Sequence, residues 1–233
     1  MDETENRIEW EDTAVFIEHV DINDSGSTIE LLPPHKIDDI LRRLGPTKYR
    51  AKGSCFNKYL EARIPGTGQW ILESPRYREW HDKEENGLLW IKGIPGSGKS
   101  IHAATVIEQL KQENTPVLYF FFVQTLDANQ QLKLAVNDWI AQILRYSTHA
   151  QKKLEKEISK FRDLSWEQRW EYLQFGLRQV AKAYLVIDGI DELDQTESKR
   201  LLERLVELRR YHPIACYKLS KHHILQPPFY NIW

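Results

Sequence analysis

The run Gly93-Ile94-Pro95-Gly96-Ser97-Gly98-Lys99-Ser100 places three glycines, a lysine and two hydroxyls within eight positions. This G-x-x-x-x-G-K-S spacing serves one kind of chemistry, the cradling of a phosphate chain. Glycines allow a backbone to wrap an anion with its N–H groups turned inward, where side chains would block the approach. Lys99 supplies a point charge for the β and γ phosphates of a nucleotide, and Ser100 offers a hydroxyl to the accompanying Mg²⁺. Ile101 continues into a helix whose positive end faces the same phosphates. The competing reading is an ordinary glycine turn.

A second group of chemical residues is Asp188-Gly189-Ile190-Asp191-Glu192, which follows the apolar run Leu185-Val186-Ile187. A hard cation takes oxygen ligands while keeping several waters, so an aspartate at the end of a strand beside the glycine loop suits Mg²⁺. Asp188 is therefore the expected metal residue. Asp191 and Glu192 are the expected catalytic carboxylates, placed to orient or deprotonate a water for attack on a γ-phosphate. Without the glycine loop, the same acids would read as a solvated, acid-capped helix start.

These groups need elements to hold them. Leu88-Leu89-Trp90-Ile91, Val117 to Phe122 and Ala183 to Ile187 are short continuous apolar runs, as in buried parallel strands. Helical spacing appears at Ile37, Ile40, Leu41 and Leu44, closed by Gly45-Pro46. Ser74-Pro75 reads as an N-cap and first-turn proline of a short helix carrying Trp80. The helix after the glycine loop presents Ala103, Val106, Ile107 and Leu110. Further helices are marked by Leu132 to Leu144, by Leu154, Ile158 and Phe161, and by Trp166, Trp170, Leu173, Leu177 and Val180 behind a Ser165-x-x-Gln168 capping box. A last one carries Leu201, Leu202, Leu205 and Leu208. Strands alternating with helices predict an α/β fold with a mostly parallel sheet. The expected divisions are an acidic leader at 1–34, a helical segment at 35–85, a nucleotide-binding core at 86–221 and a divergent tail at 222–233.

Composition excludes several classes. The 233 residues carry a formal net charge of -2, so no global cationic field is available for nucleic acid or an anionic membrane. The basic residues of 199–210 read as one helix's solvated face. The two cysteines, Cys55 and Cys216, lie outside any zinc or redox spacing. No apolar run approaches the roughly 18 residues that cross a bilayer, and the acidic start is unlike a signal peptide, so a cytoplasmic protein is expected. His102 reads as a helix-surface histidine, and His222-His223 lacks neighbours at ligand spacing.

Together the glycine loop and Asp188-Gly189-Ile190-Asp191-Glu192 resemble the NACHT domain of signal-transducing STAND ATPases, a P-loop NTPase three-layer sandwich. The segment Gly66-Thr67-Gly68-Gln69-Trp70, Leu72-Glu73-Ser74-Pro75, Trp80 and Leu89-Trp90-Ile91-Lys92-Gly93 is similar, more narrowly, to fungal NOD-like receptors with a nephrocystin-like NACHT region. That resemblance implies a switch controlled by ATP or GTP with Mg²⁺, with slow or absent hydrolysis, that oligomerises or associates with full-length relatives. It also implies that Gly66, Thr67 and Gly68 lie near the nucleotide base. The family's sensor strand, which ends in Ser-Arg, has its nearest counterpart in residues 214 to 221, where Lys221 replaces the arginine. If that stretch left the slot between the loop-bearing and Asp-bearing strands unfilled, the sheet would have a central hole. The C-terminal residues suggest a truncated member. Two other readings stay open: a non-binding decoy fragment, and a P-loop phosphotransferase, for which no Arg-rich lid is evident. An Asn-Lys-x-Asp motif for guanine is absent.

Overall fold

Continuous apolar runs make the strands because both faces of the sheet are covered. The computed structural model describes residues 31–82, 87–124, 131–211, 214–220 and 230–232. Residues 1–30 of the acidic leader, Asn86 of the expected turn, Lys221 and His222-His223 lie outside the described residues, while Leu32 at the leader's end is buried and α1 already begins at Pro34. Along the chain come α1 (Pro34–Leu44), α2 (Cys55–Glu61), α3 (Trp70–Glu73), α4 (Pro75–Asp82), β1 (Leu88–Lys92), α5 (Lys99–Leu110), β2 (Val117–Phe121) and α6 (Leu132–Ile143). Then follow α7 (Thr148–Glu157), α8 (Trp166–Leu177), β3 (Ala183–Asp188), α9 (Gln195–Tyr211), β4 (Ile214–Ser220) and β5 (Tyr230–Ile232).

The five strands form one sheet in the order β2-β3-β4-β1-β5, and every pairing is parallel. Strand β4 occupies the slot between β1 and β3, with Leu88 opposite Cys216 and Ala183 opposite Ile214. The sheet therefore has no central hole. Strand β5, which the sequence pattern did not reveal, adds an edge beside β1 through Leu89, Trp90 and Ile91.

Side chains alternate between two apolar clusters, one on each face of the sheet. Leu118, Phe120, Leu185 and Ile187 join residues of α1, α6, α8 and α9. Val117, Tyr119, Phe121, Tyr184 and Val186 join residues of α2, α4 and α5. Every residue of β2 and β3 is buried, as a doubly covered parallel sheet requires. Because β2 lies at the sheet edge, its outward backbone needs another partner. Gln142 of α6 supplies it, accepting from the Tyr119 N–H at 2.7 Å and donating to the Tyr119 carbonyl at 3.1 Å.

Local signals explain several helix ends. Gly45 adopts φ 62° and its N–H donates to the Leu41 carbonyl, closing α1. Ser74 Oγ accepts from the Tyr77 N–H at 3.2 Å to start α4. Ser165 and Gln168 form the reciprocal capping box of α8. Two expected helices end early. The α-helical part of α7 stops at Glu157, so Ile158 and Phe161 lie in a 3-10 turn, and α8 stops before Val180. Arg169 accounts for the first difference: its guanidinium donates to the Phe161 carbonyl at 2.6 Å and the Leu164 carbonyl at 3.2 Å, satisfying groups that a longer helix would bond internally. Among the bases of α9, Arg200 pairs with Glu167, Arg204 with Glu207 at 2.8 Å, and Lys199 with Glu203 at 3.9 Å.

The crossing from α1 toward α2 is pinned by buried polar groups of α6. Asn137 Nδ2 donates to the Leu44 carbonyl at 2.8 Å, and Arg169 donates to Asn137 Oδ1 at 2.8 Å. The Asp138 carboxylate accepts from the Thr47 N–H at 2.6 Å and from Thr47 Oγ1 at 2.5 Å. Asp138 is 1% exposed, and burial pushes its carboxyl up to about 7, only partly opposed by Thr47. An unfolded aspartate titrates near 3.9, so between about pH 4 and 7 the folded chain holds a proton that the unfolded chain has released. Stability contributed at this site therefore falls as pH rises through that window and levels off above it. Asp138→Asn is expected to flatten the decline, by on the order of 2 kcal/mol, in urea melts at pH 5 and pH 8. A variant with the wild-type pH slope would contradict this account.

Candidate functional site

Parallel strands place their carboxyl ends on one edge of the sheet, where ligands of open α/β folds bind. Lys92, Asp188 and Ser220 end β1, β3 and β4 on that edge, with Lys92 opposite Ser220. The glycine loop leaves β1 there and enters α5. Gly98 sits at the N-cap of α5 with φ 77°, a left-handed conformation that a side chain would strain. The turn is closed by the Ser97 N–H donating to the Ile94 carbonyl at 3.2 Å. Residues Ile94, Pro95, Gly96 and Ser97 are exposed, so the loop is open to an approaching ligand. Lys99 Nζ reaches back across it, donating to the carbonyls of Gly93 at 2.7 Å and Ile94 at 2.8 Å. Ile101 is half-buried in the first turn of α5.

Asp188 is the last residue of β3 and is 4% exposed. It is hydrogen-bonded to Ser100, so the loop's hydroxyl and the strand's carboxylate meet directly. Burial pushes the Asp188 carboxyl up to about 6; Ser100, Lys99 and the Gly189 N–H pull it down, and neighbouring Asp191 pushes it further up. Gly189 then turns the chain with φ 70° into the short 3-10 segment carrying Asp191 and Glu192. Both acids are half-buried. Asp191 Oδ1 is buried and has no hydrogen-bond partner among the described residues. Such an orphaned acceptor beside a buried carboxylate suits a site that takes a cation or an ordered water.

The turn Gly66-Thr67-Gly68 rests on α5. A Cβ at Gly68 would lie 3.1 Å from His102 Nδ1, and the Trp70 ring meets the His102 ring edge-on with centroids 5.3 Å apart. The expectation for His102 is corrected here. It is half-buried beneath this turn rather than on an open helix surface, and burial holds its pKa below the ordinary value. Thus one helix, α5, carries the loop at its start and the Gly66–Gly68 turn along its flank.

Helix α2 also reaches the site, which sequence reasoning missed. Tyr59 is hydrogen-bonded to Ser100, and Cys55 lies within electrostatic reach of Asp188. The signal was present but brief: Ser54 before apolar Phe56, Tyr59 and Leu60 at helical spacing. Ser54 Oγ does accept from the Asn57 N–H, at 3.3 Å.

Residues 66–219 match the family described as Nephrocystin 3, N-terminal. The chain belongs to this family. The matched span of this nephrocystin-type NACHT chain runs from the Gly66 turn through the glycine loop and Asp188 into β4. It is 33% identical over 148 residues to the vegetative incompatibility protein HET-E-1 of Podospora anserina, covering 58% of this chain and 10% of that protein. The NACHT chain therefore spans about a tenth of that relative's length. Among its described residues, no helix is long and apolar enough to cross a membrane.

Gly189 gives a sharp test of the local geometry. A Cβ there would lie 2.3 Å from the Phe122 carbonyl, on a backbone already at positive φ. Gly189→Ala is expected to lower stability by roughly 2 kcal/mol or more, read as a drop in melting temperature. An unchanged melt would mean that β2 and the Asp188 turn do not pack as described.

Proposed function

We propose that this chain is a nucleotide-binding module of a NOD-like receptor, a P-loop NTPase sandwich acting as a signalling switch with slow or absent hydrolysis. The observation that carries the reading is the meeting of Ser100 and Asp188 beside an open glycine loop. The order β2-β3-β4-β1-β5 supports it, since one strand separates the loop-bearing β1 from the Asp-bearing β3.

In this reading the backbone N–H groups of residues 96–100 hold the phosphates, with the start of α5 adding its dipole. Lys99 exchanges its bonds to the Gly93 and Ile94 carbonyls for contacts to phosphate oxygens. Ser100 and Asp188 would hold Mg²⁺, and their paired, oxygen-only chemistry fits that ion. When bound, the cation neutralises phosphate charge. Asp191 and Glu192 would orient water, and Gly66, Thr67 and Gly68, with His102 and Trp70 beside them, would flank the base. HET-E-1 is named for vegetative incompatibility, which supports a signalling role and association with larger relatives or further copies of the chain.

The test is equilibrium binding of fluorescent ATP, ADP and GTP with Mg²⁺. Saturable binding is expected, weakened at least about tenfold by Lys99→Ala, since a charge-assisted phosphate contact is lost. A folded wild-type chain that binds no nucleotide would overturn the reading and favour a non-binding decoy.

A further inference from the structure

Ser100 is shared between two partners from different elements. Asp188 bonds it from β3, and Tyr59 bonds it from α2. The Tyr59 ring lies against Phe121 with centroids 5.4 Å apart, and Phe121 is the register partner of Asp188. The tyrosine is therefore held at its ring by β2 and at its hydroxyl by the glycine-loop serine.

A serine hydroxyl has one proton and two lone pairs. An ionised Asp188 can only accept, so Ser100 donates to it and Tyr59 donates to Ser100. One Ser100 lone pair then remains, and the other two bonds fix its direction.

We propose that Tyr59 is a positioning residue for the metal-loaded nucleotide: its hydroxyl aims the free lone pair of Ser100 at the cation. The inference rests on the nucleotide-binding reading above. Its consequence is that α2, which precedes the sheet in sequence, is mechanically tied to the metal end of the loop. A displacement of α2 would then lower affinity for Mg²⁺-nucleotide while sparing the metal-free nucleotide, which the loop's N–H groups and Lys99 still hold.

The experiment titrates fluorescent ADP and ATP onto the whole chain in EDTA and across a Mg²⁺ series. Wild type is expected to gain affinity with Mg²⁺. Tyr59→Phe, which keeps the ring on Phe121, should need about 3- to 10-fold more Mg²⁺ for half of that gain, with unchanged affinity in EDTA. In a Ser100→Ala background the same change should cost nothing further. The proposal is overturned by a Tyr59→Phe midpoint equal to wild type, by an equal loss in EDTA, or by a persisting effect without Ser100. Wild-type nucleotide binding that ignores Mg²⁺ overturns it while leaving the module reading intact. A folded wild type that binds no nucleotide overturns both.

Discussion

The placement of β4 between β1 and β3 is the constraint on which the candidate site depends. Neighbouring strands lie about 4.8 Å apart, so two strand spacings separate the end of β1 from the end of β3 by roughly 10 Å. The glycine loop spans that gap by leaving β1 and turning into α5, whose first turn brings Ser100 to Asp188. Without β4 in place, the slot between β1 and β3 would be unfilled and no ladder would hold the loop and the aspartate at this spacing. The ladder of Ala183 to Ile187 against Ile214 to Lys218, and of Leu88 to Lys92 against Cys216 to Ser220, therefore sets the geometry of the hydroxyl and carboxylate.

That geometry carries an electrostatic cost. Asp188 is taken out of water, and its partners, a hydroxyl, a lysine at some distance and one N–H, do not restore what solvation supplied, so its carboxyl titrates near 6. Asp191 sharpens the imbalance from the next turn. A cluster that is unfavourable as bare carboxylates becomes favourable when a cation stands beside it, and on the proposed reading this is why the acids are gathered there. Asp138 shows the contrasting case on the opposite layer. There Thr47 supplies two hydrogen bonds to a buried carboxyl, and the product is a fixed chain crossing rather than an open site.

Much of this was legible because the relevant signals are local. The glycine loop announces itself by residue type, β1, β2 and β3 by unbroken apolar runs, and α1, α4 and α8 by their stop and start residues. What escaped was set by long-range packing. Strand β4 runs apolar Ile214, Ala215 and Cys216 into Lys218 and Ser220 with neither an unbroken nor an alternating pattern, so its slot was suggested by the resemblance and not by its own pattern. Strand β5 is only three residues long, too short to carry a period. The turn after α7 follows from Arg169, which lies on another helix. His102 looked exposed because no sequence signal folds Gly68 and Trp70 over α5.

The residues ahead of β1 are more than an approach to the sheet. Ile40, Leu41 and Leu44 of α1 pack into one face, while Phe56, Tyr77 and Trp80 of α2 and α4 pack into the other. The chain passes between these layers through Gly45 and Thr47, which α6 grips with Asn137 and Asp138. Phe56 is the buried residue of α2 and packs into that second cluster, so a movement of α2 disturbs the core there. Tyr59 converts that stiffness into a demand on one hydroxyl. The sheet, the loop and the preceding helices thus meet at Ser100 as well as through the core, and a change at any of the three is felt there.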